Sequence, residues 1–339
     1  MVVEGCGVFA ERVGADVGQL AQPLVPLTAA EDTARRGEHH HHDSNRTAPH
    51  PSLIGTKPQM VRSTPPTARY RSRVPELPEV ETVRRGLAPL VIGRGLLSAG
   101  SHPSERFSSA ADAIGRTVIS VDRRGKYLML PLDDGRRLVI HLGMTGQVRV
   151  DNPAGAADPY DRAWWNLDDG GRLALRDVRR FGRVAVLGDD LSPLPTLASL
   201  GPEPFDPDLT PEVLWKALRS STQRVKTQLL AQRVVAGVGN IYADEALWRA
   251  RLHPGARTVS RPAAQRLLTA IREVLSEGIE HGGTTLRDYR AVDGSTGTNQ
   301  HHLDCYGRAG QPCPRCSATL RRSVVDGRGT THCPTCQRA

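Results

Sequence analysis

No stretch of this chain stays apolar for the roughly 18 residues that a membrane-spanning helix needs, and its first residues lack the basic-then-apolar order of a secretory signal. A cytosolic protein is the expectation. Cysteine is scarce, six in 339 residues. That argues against a disulfide scaffold, and four of the six fall in two tight pairs near the C-terminus, where thiolates point to metal. Acidic residues are outnumbered. With 36 Asp and Glu against 45 Lys and Arg the formal charge is +9, which favours a polyanionic partner such as nucleic acid or an acidic membrane surface. Residues 1–73 lack any sustained period of 2 or 3.6. Rich in Ala, Gly, Pro, Thr and Arg, they cannot bury enough apolar surface to offset their ordering entropy, so they are expected to be disordered or not truly part of the protein. The histidine run His39 to His42 within them reads as low complexity rather than as a metal site.

From Pro75 the pattern changes. Val80, Val83 and Leu87 recur at i, i+3 and i+7, one face of a helix, and Pro75 and Pro78 occupy its first turn, where a missing N–H costs little. The runs "TVISVDRRGKYLMLPL", "RLVIHLGMTGQVRV" and "AWWNLDDGGRLALRDVRRFGRVAVL" then alternate apolar and polar residues between Gly- and Asp-containing turns, as antiparallel strands do. Helical spacing returns in "PEVLWKALRSS", "TQRVKTQLLAQRVV", "IYADEALWRARL" and "RPAAQRLLTAIREVLSEGIEHG". The chain exceeds the roughly 100–200 residues of a usual domain. The predicted fold class is α+β: an N-terminal helix with an antiparallel β-sandwich over 74–205, a helical domain over 206–300, and a metal-stapled module over 301–339.

Three motifs carry chemistry. Cys313-Pro-Arg-Cys316 and Cys333-Pro-Thr-Cys336 have the two-knuckle spacing of a zinc ribbon, in which four thiolates fill a tetrahedral ion and leave no open position. One structural Zn²⁺ and no organic cofactor are expected, and the basic hairpin between the knuckles can present Arg321, Arg322 and Arg328 to phosphate. In "VVAGVGNIYADEAL", Gly237 and Gly239 permit a tight turn, Asn240 is placed to cap the next helix, and the exposed N–H groups there offer a phosphate seat. In "PELPEVE", Glu76, Glu79 and Glu81 suit a helix N-terminus. A proline that begins a chain is also a secondary amine, able to attack an electrophilic carbon and form an iminium, and an adjacent glutamate could move protons for it.

Together with "RRGKYL", "HLGMTG" and "DVRRFGR", in this order, these motifs resemble the formamidopyrimidine-DNA glycosylase family, whose mature chains begin Pro-Glu-Leu-Pro-Glu-Val-Glu. The resemblance covers about residues 74–339. It implies a helix-two-turns-helix in the helical domain and a monomeric, nucleoid-associated bacterial enzyme on damaged double-stranded DNA, removing oxidised purines and then nicking the strand as a lyase. It makes Pro75 the nucleophile, Glu76 the general acid/base, Glu79 a supporting carboxylate, and Lys126 and Arg328 catalytic-site cations at the DNA phosphates. Met144, Arg179 and Phe181 would fill the gap left by the flipped nucleotide; His141, Lys226 and Asn240 would grip the backbone. Val178 stands where the family commonly has proline, and Thr298 and Asn299, followed by His301 and His302, stand where it usually has an aromatic pair. That second departure puts the preference for 8-oxoguanine in question. An endonuclease VIII-like enzyme on oxidised pyrimidines is the nearest rival, but that group typically has glycine in place of Leu77. A catalytically silent DNA-binding paralogue is the other, should residues 1–73 remain attached. Val74 precedes Pro75 where relatives have methionine, so translation is expected to start at position 74 on a GTG codon. Cys305 reads as a buried small apolar residue.

Overall fold

The structure, a computed structural model, describes residues 75–155, 158–285 and 289–338. The expectations for residues 1–73, the histidine run and the start at Val74 lie outside the described residues.

Helix α1 (Leu77–Val91) begins two residues after Pro75, with Glu76 as its extended N-cap and Pro78 in its first turn. Its start is fixed by the Glu79 carboxylate, which accepts the Glu76 backbone N–H at 2.8 Å. The face predicted from the spacing is buried: Val80, Val83, Leu87 and Val91 are at most 1 % exposed.

Two four-stranded antiparallel sheets follow. One has the order β1-β6-β7-β5, built from β1 (Leu96–Ser101), β5 (Gly146–Asp151), β6 (Asp161–Leu167) and β7 (Arg172–Asp177). The other has the order β2-β3-β4-β8, from β2 (Asp122–Arg124), β3 (Tyr127–Pro131), β4 (Arg137–His141) and β8 (Arg183–Leu187). Leu128, Leu130, Leu138 and Ile140 of the second sheet share one core with Val148, Trp165, Leu173 and Leu175 of the first and with the α1 face. The reverse side of β3 and β4, Tyr127, Met129 and Val139, is covered by Leu194 and Leu197 around the short helix α2 (Pro195–Ala198). The expected alternation therefore fails in β3: coverage on both faces buries Tyr127 to Leu130 in succession, and "YLMLP" is apolar throughout.

Helices α3 (Pro211–Arg219), α4 (Val225–Leu230), α5 (Asn240–Arg249) and α6 (Arg261–Glu280) form a second core that includes Leu77 from α1. α4 is much shorter than its sequence suggests, since Gln232 adopts φ 57° and the chain turns through "AGVG". The final hairpin, β9 (Arg321–Val325) and β10 (Arg328–His332), packs with its cysteines against Trp248 of α5. Among the described residues no helix is long and apolar enough to cross a membrane.

Candidate active site

The N-termini of two helices meet. The Glu76 carboxylate, 2 % exposed, accepts the N–H of Ile241 at 2.9 Å and of Tyr242 at 3.4 Å, the first turn of α5. The expectation for this turn is therefore corrected twice. Asn240 does not cap α5 with its side chain; it is the first helical residue, and its Nδ2 donates to Gly329 O at 3.1 Å. Nor is the seat open to phosphate, because a carboxylate of the protein already occupies it. The two glycines are explained by the same contact. A Cβ on Gly239 would lie 2.2 Å from Glu76 Cδ, and one on Gly237, which has φ 82°, would lie 2.5 Å from Leu77 Cδ1. The buried Pro75 is held just ahead of this junction by the Leu77 N–H, which donates to Gly237 O at 3.1 Å.

Glu79 lies beside Glu76, also 2 % exposed, and accepts three donors: Glu76 N–H at 2.8 Å, Tyr242 OH at 2.9 Å and Thr284 N–H at 2.6 Å. Burial, and then the neighbouring Glu76 charge, pushes its pKa up to about 7, against the pull of those donors. Burial likewise raises Glu76, opposed by the Lys126 charge and by backbone N–H groups. Lys126, on the tight turn between β2 and β3, is 8 % exposed. Its pKa is depressed by burial, with Glu76 and Glu79 resisting and Arg328 adding to the depression. The structure thus brings Pro75, Glu76, Glu79 and Lys126 together, with Arg328 within electrostatic reach. Glu81 takes no part; it faces Arg84, Arg85 and Arg123. His141, at the end of β4, is lowered to about 4 by burial and by Lys126, Arg183 and Arg106, so it sits neutral against the Tyr127 ring.

Met144 and the segment carrying Arg179 and Phe181 are joined by Asp177, a residue that periodicity did not single out. Fully buried, it accepts Thr145 Oγ1, Arg179 N–H and Gly182 N–H. Gly143 packs directly on the Phe181 backbone. This leaves Phe181 41 % exposed, with the Arg179 guanidinium 4.6 Å from its ring centre and Met144 half-buried.

Lys226 is a further correction. Expected to grip the DNA backbone, it is 0 % exposed, and its three ammonium hydrogens go to Asp244 Oδ1 at 2.6 Å, Thr330 Oγ1 at 2.8 Å and Gly329 O at 3.1 Å. Burying a lysine beside an aspartate is tolerable only when its donors are satisfied, and here none is left for a phosphate. Lys226 instead anchors the β9–β10 hairpin to α5, leaving Arg321, Arg322 and Arg328 exposed. Sequence spacing could not reveal this, since the two partners on the hairpin lie more than 100 positions away.

Cys313, Cys316, Cys333 and Cys336 place their sulfurs within 4.8 Å of one another. Zn–S bonds of about 2.3 Å in a tetrahedron separate sulfurs by roughly 3.8 Å, so the cluster fits one closed structural zinc site. Trp248 Nε1 donates to Cys313 Sγ at 3.4 Å, tying the site to α5. Cys305 is fully buried in the same cluster.

Comparison with known proteins agrees with this architecture. Residues 74–184 match the formamidopyrimidine-DNA glycosylase N-terminal domain, residues 200–290 the formamidopyrimidine-DNA glycosylase H2TH domain, and residues 310–339 the zinc finger found in FPG and IleRS. The chain is 46 % identical over 287 residues to the formamidopyrimidine-DNA glycosylase of Thermomicrobium roseum, covering 78 % of this chain and 99 % of the relative. The enzyme of Thermus thermophilus is 47 % identical over 269 residues, with 78 % and 98 % covered. The crystal structure of the MutM (Fpg) protein from Thermus thermophilus superimposes with a TM-score of 0.72 at 47 % identity, covering 78 % of this chain and 98 % of that one. The Lactococcus lactis enzyme in complex with DNA containing an abasic site gives 0.71 at 37 % identity, covering 78 % and 100 %. The chain belongs to the formamidopyrimidine-DNA glycosylase family.

Proposed function

We propose that this protein is a bifunctional DNA glycosylase and AP lyase that removes oxidised purines, 8-oxoguanine and formamidopyrimidines, from duplex DNA. The observation that carries the reading is the pair of buried carboxylates packed under Pro75 at the α5 N-terminus, with Lys126 alongside. The free secondary amine of Pro75 attacks C1′ of the damaged nucleotide, the C1′–N bond to the base breaks, and the amine proton is lost as the sugar ring opens to an iminium. Glu76 protonates the departing sugar oxygen, and Glu79 holds the site's second negative charge. Loss of a C2′ proton then expels the 3′ phosphate, and a δ-elimination expels the 5′ phosphate. Lys126 and Arg328 face the phosphates, His141 and Asn240 steady the backbone, and Met144, Arg179 and Phe181 occupy the space of the extruded nucleotide. The β domain (74–205) supplies the proline, the helical domain (206–300) and the zinc module (301–339) hold the duplex, and the enzyme works as a monomer at the nucleoid.

The chemistry requires a free Pro75 nitrogen, whereas in the continuous chain it is a tertiary amide. A start at Val74 resolves this. The match to the family model begins at residue 74, and 78 % of this chain spans 98–99 % of the relatives from Thermomicrobium and Thermus. A silent DNA-binding protein is the reading that applies if residues 1–73 stay attached. Borohydride trapping on abasic duplex DNA, with the N-terminus read by mass spectrometry, tests both. An adduct on a chain beginning at Pro75 is expected; an adduct on the chain with its head intact overturns the proline mechanism. Excision assays on 8-oxoguanine, formamidopyrimidine and thymine glycol duplexes test the substrate class, and equal activity on thymine glycol would point to the oxidised-pyrimidine enzyme instead.

A further inference from the structure

Asn299 occupies a place where the family resemblance leads one to expect an aromatic side chain, and it is 3 % exposed. The segment around it is clamped to the end of α6: Thr298 N–H donates to His281 O at 2.9 Å and Asn299 N–H to Gly283 O at 3.2 Å. A polar amide buried this deeply needs partners. Asn299 Nδ2 finds two, Thr284 Oγ1 at 2.8 Å and Tyr242 OH at 3.3 Å, and these two hydroxyls lie 3.1 Å apart. Thr284 and Tyr242 are themselves buried, at 4 % and 1 % exposure.

The hydrogens in this cluster can be assigned. Tyr242 donates to Glu79 Oε1 at 2.9 Å, so its oxygen must act as acceptor toward its other neighbours. Thr284 then donates to Tyr242, and its own oxygen accepts from Asn299. With its amide nitrogen turned inward, Asn299 fills the acceptor side of both hydroxyls, and each is left with its hydrogen pointing onward. With the amide reversed, the carbonyl oxygen would draw those hydrogens away from Glu79. A phenyl ring would do neither.

We propose that Asn299 is a positioning residue of this active site: by donating to Thr284 and Tyr242 it sets the direction of a buried hydrogen-bond chain that ends on the Glu79 carboxylate. The 298–299 segment and the carboxylate next to Pro75 thereby form one hydrogen-bonded unit. The significance for catalysis rests on the proposed role of Glu79 beside Pro75; the wiring itself does not. Glu79 is poised to register the chain, since burial and Glu76 hold it near neutrality while its donors pull it down. The other titratable groups facing it are Lys126 from the β2–β3 turn, Tyr242 from α5, and Tyr289, whose hydroxyl donates to Glu79 O at 3.3 Å.

The test is a pH titration of the full chain carrying ¹³C-carboxyl glutamate, with the Glu79 resonance assigned by its absence in Glu79→Gln. Removing a donor that favours the ionised form raises its midpoint. Asn299→Phe, which restores the family's usual residue type, is expected to raise the Glu79 midpoint by about half a pH unit, since a neutral hydrogen bond and one unit are of similar worth. Asn299→Asp, of the same shape but acceptor-only at high pH, should raise it further. A thermal melt shows that each variant is folded. Unchanged midpoints in both folded variants overturn the proposal. Borohydride trapping by the chain that begins at Pro75, across the same pH range, judges the catalytic reading separately: a matching rise of the acid limb supports it, whereas a moved resonance in a Pro75-started chain that traps no DNA leaves the wiring intact and refutes the role of Pro75.

Discussion

Lys226→Met separates two meanings of a buried cation. The ammonium has no solvent exposure and gives all its hydrogens to Asp244, Thr330 and Gly329. Methionine matches the stem in volume but leaves the Asp244 carboxylate buried without its cation, retaining the Thr331 N–H donor at 2.8 Å. Breaking one side of a buried pair costs about 3–5 kcal/mol, a large part of the roughly 5–15 kcal/mol that holds a typical domain together. At about 2–4 °C per kcal/mol for a chain of this size, the melting temperature should fall by roughly 6–20 °C. Lys226→Met combined with Asp244→Leu removes both charges and should recover most of that loss, since apolar replacements of buried pairs are often neutral or stabilising. Calorimetry on the zinc-loaded protein measures the stabilities, and DNA binding across a salt series supplies the second readout. A lysine that neutralised a phosphate would reduce the slope of log K against log salt by about 0.9 when removed. The double variant is expected to keep the wild-type slope. A single variant that loses under about 1 kcal/mol, together with a double variant whose slope drops by one phosphate, would refute the assignment of Lys226 as a structural anchor.

Gly239→Ala places a methyl group 2.2 Å from Glu76 Cδ. The carboxylate must leave the α5 N-terminus, and single-turnover excision should fall by about 100-fold or more, the scale of a lost acid/base group, while the zinc hairpin stays folded. Glu245 of α5 accepts N–H groups from Asp304, Cys305 and Tyr306, and burial lifts its pKa from 4.5 to about 8. The folded state therefore holds a proton that the unfolded chain releases near pH 4.5. This contribution is full below that pH and declines as pH rises towards 8; Glu245→Gln should flatten the decline in melts recorded across this window. Chelation of the four-cysteine site should release one zinc per chain and free the β9–β10 hairpin, displacing Arg328. The expected readouts are one equivalent in a chromophoric zinc assay and a shallower salt dependence of DNA binding.

The residues themselves determined whatever depended on short separations. The apolar spacing of α1, the alternating strands and the two Cys-x-x-Cys knuckles follow from backbone period and from the reach of two thiolates within one turn, so they were readable in order along the chain. The ends of elements were less so: α4 stops early because Gln232 takes a left-handed conformation, which no helical spacing announces. Tertiary structure alone decided the partners. Glu76 caps a helix 165 positions away, Glu79 meets Thr284 at a separation of 205, and Lys226 finds Thr330 at 104. Such pairings are selected by which surfaces pack together, and a charged residue carries no local mark of whether it will face water or a buried counter-charge. Hence Lys226 reads as a phosphate grip and is in fact buried against Asp244 and the zinc hairpin, while Asp177, Tyr242 and Thr284, unremarkable in sequence, are the groups that bond the Arg179–Gly182 segment and the Glu79 carboxylate.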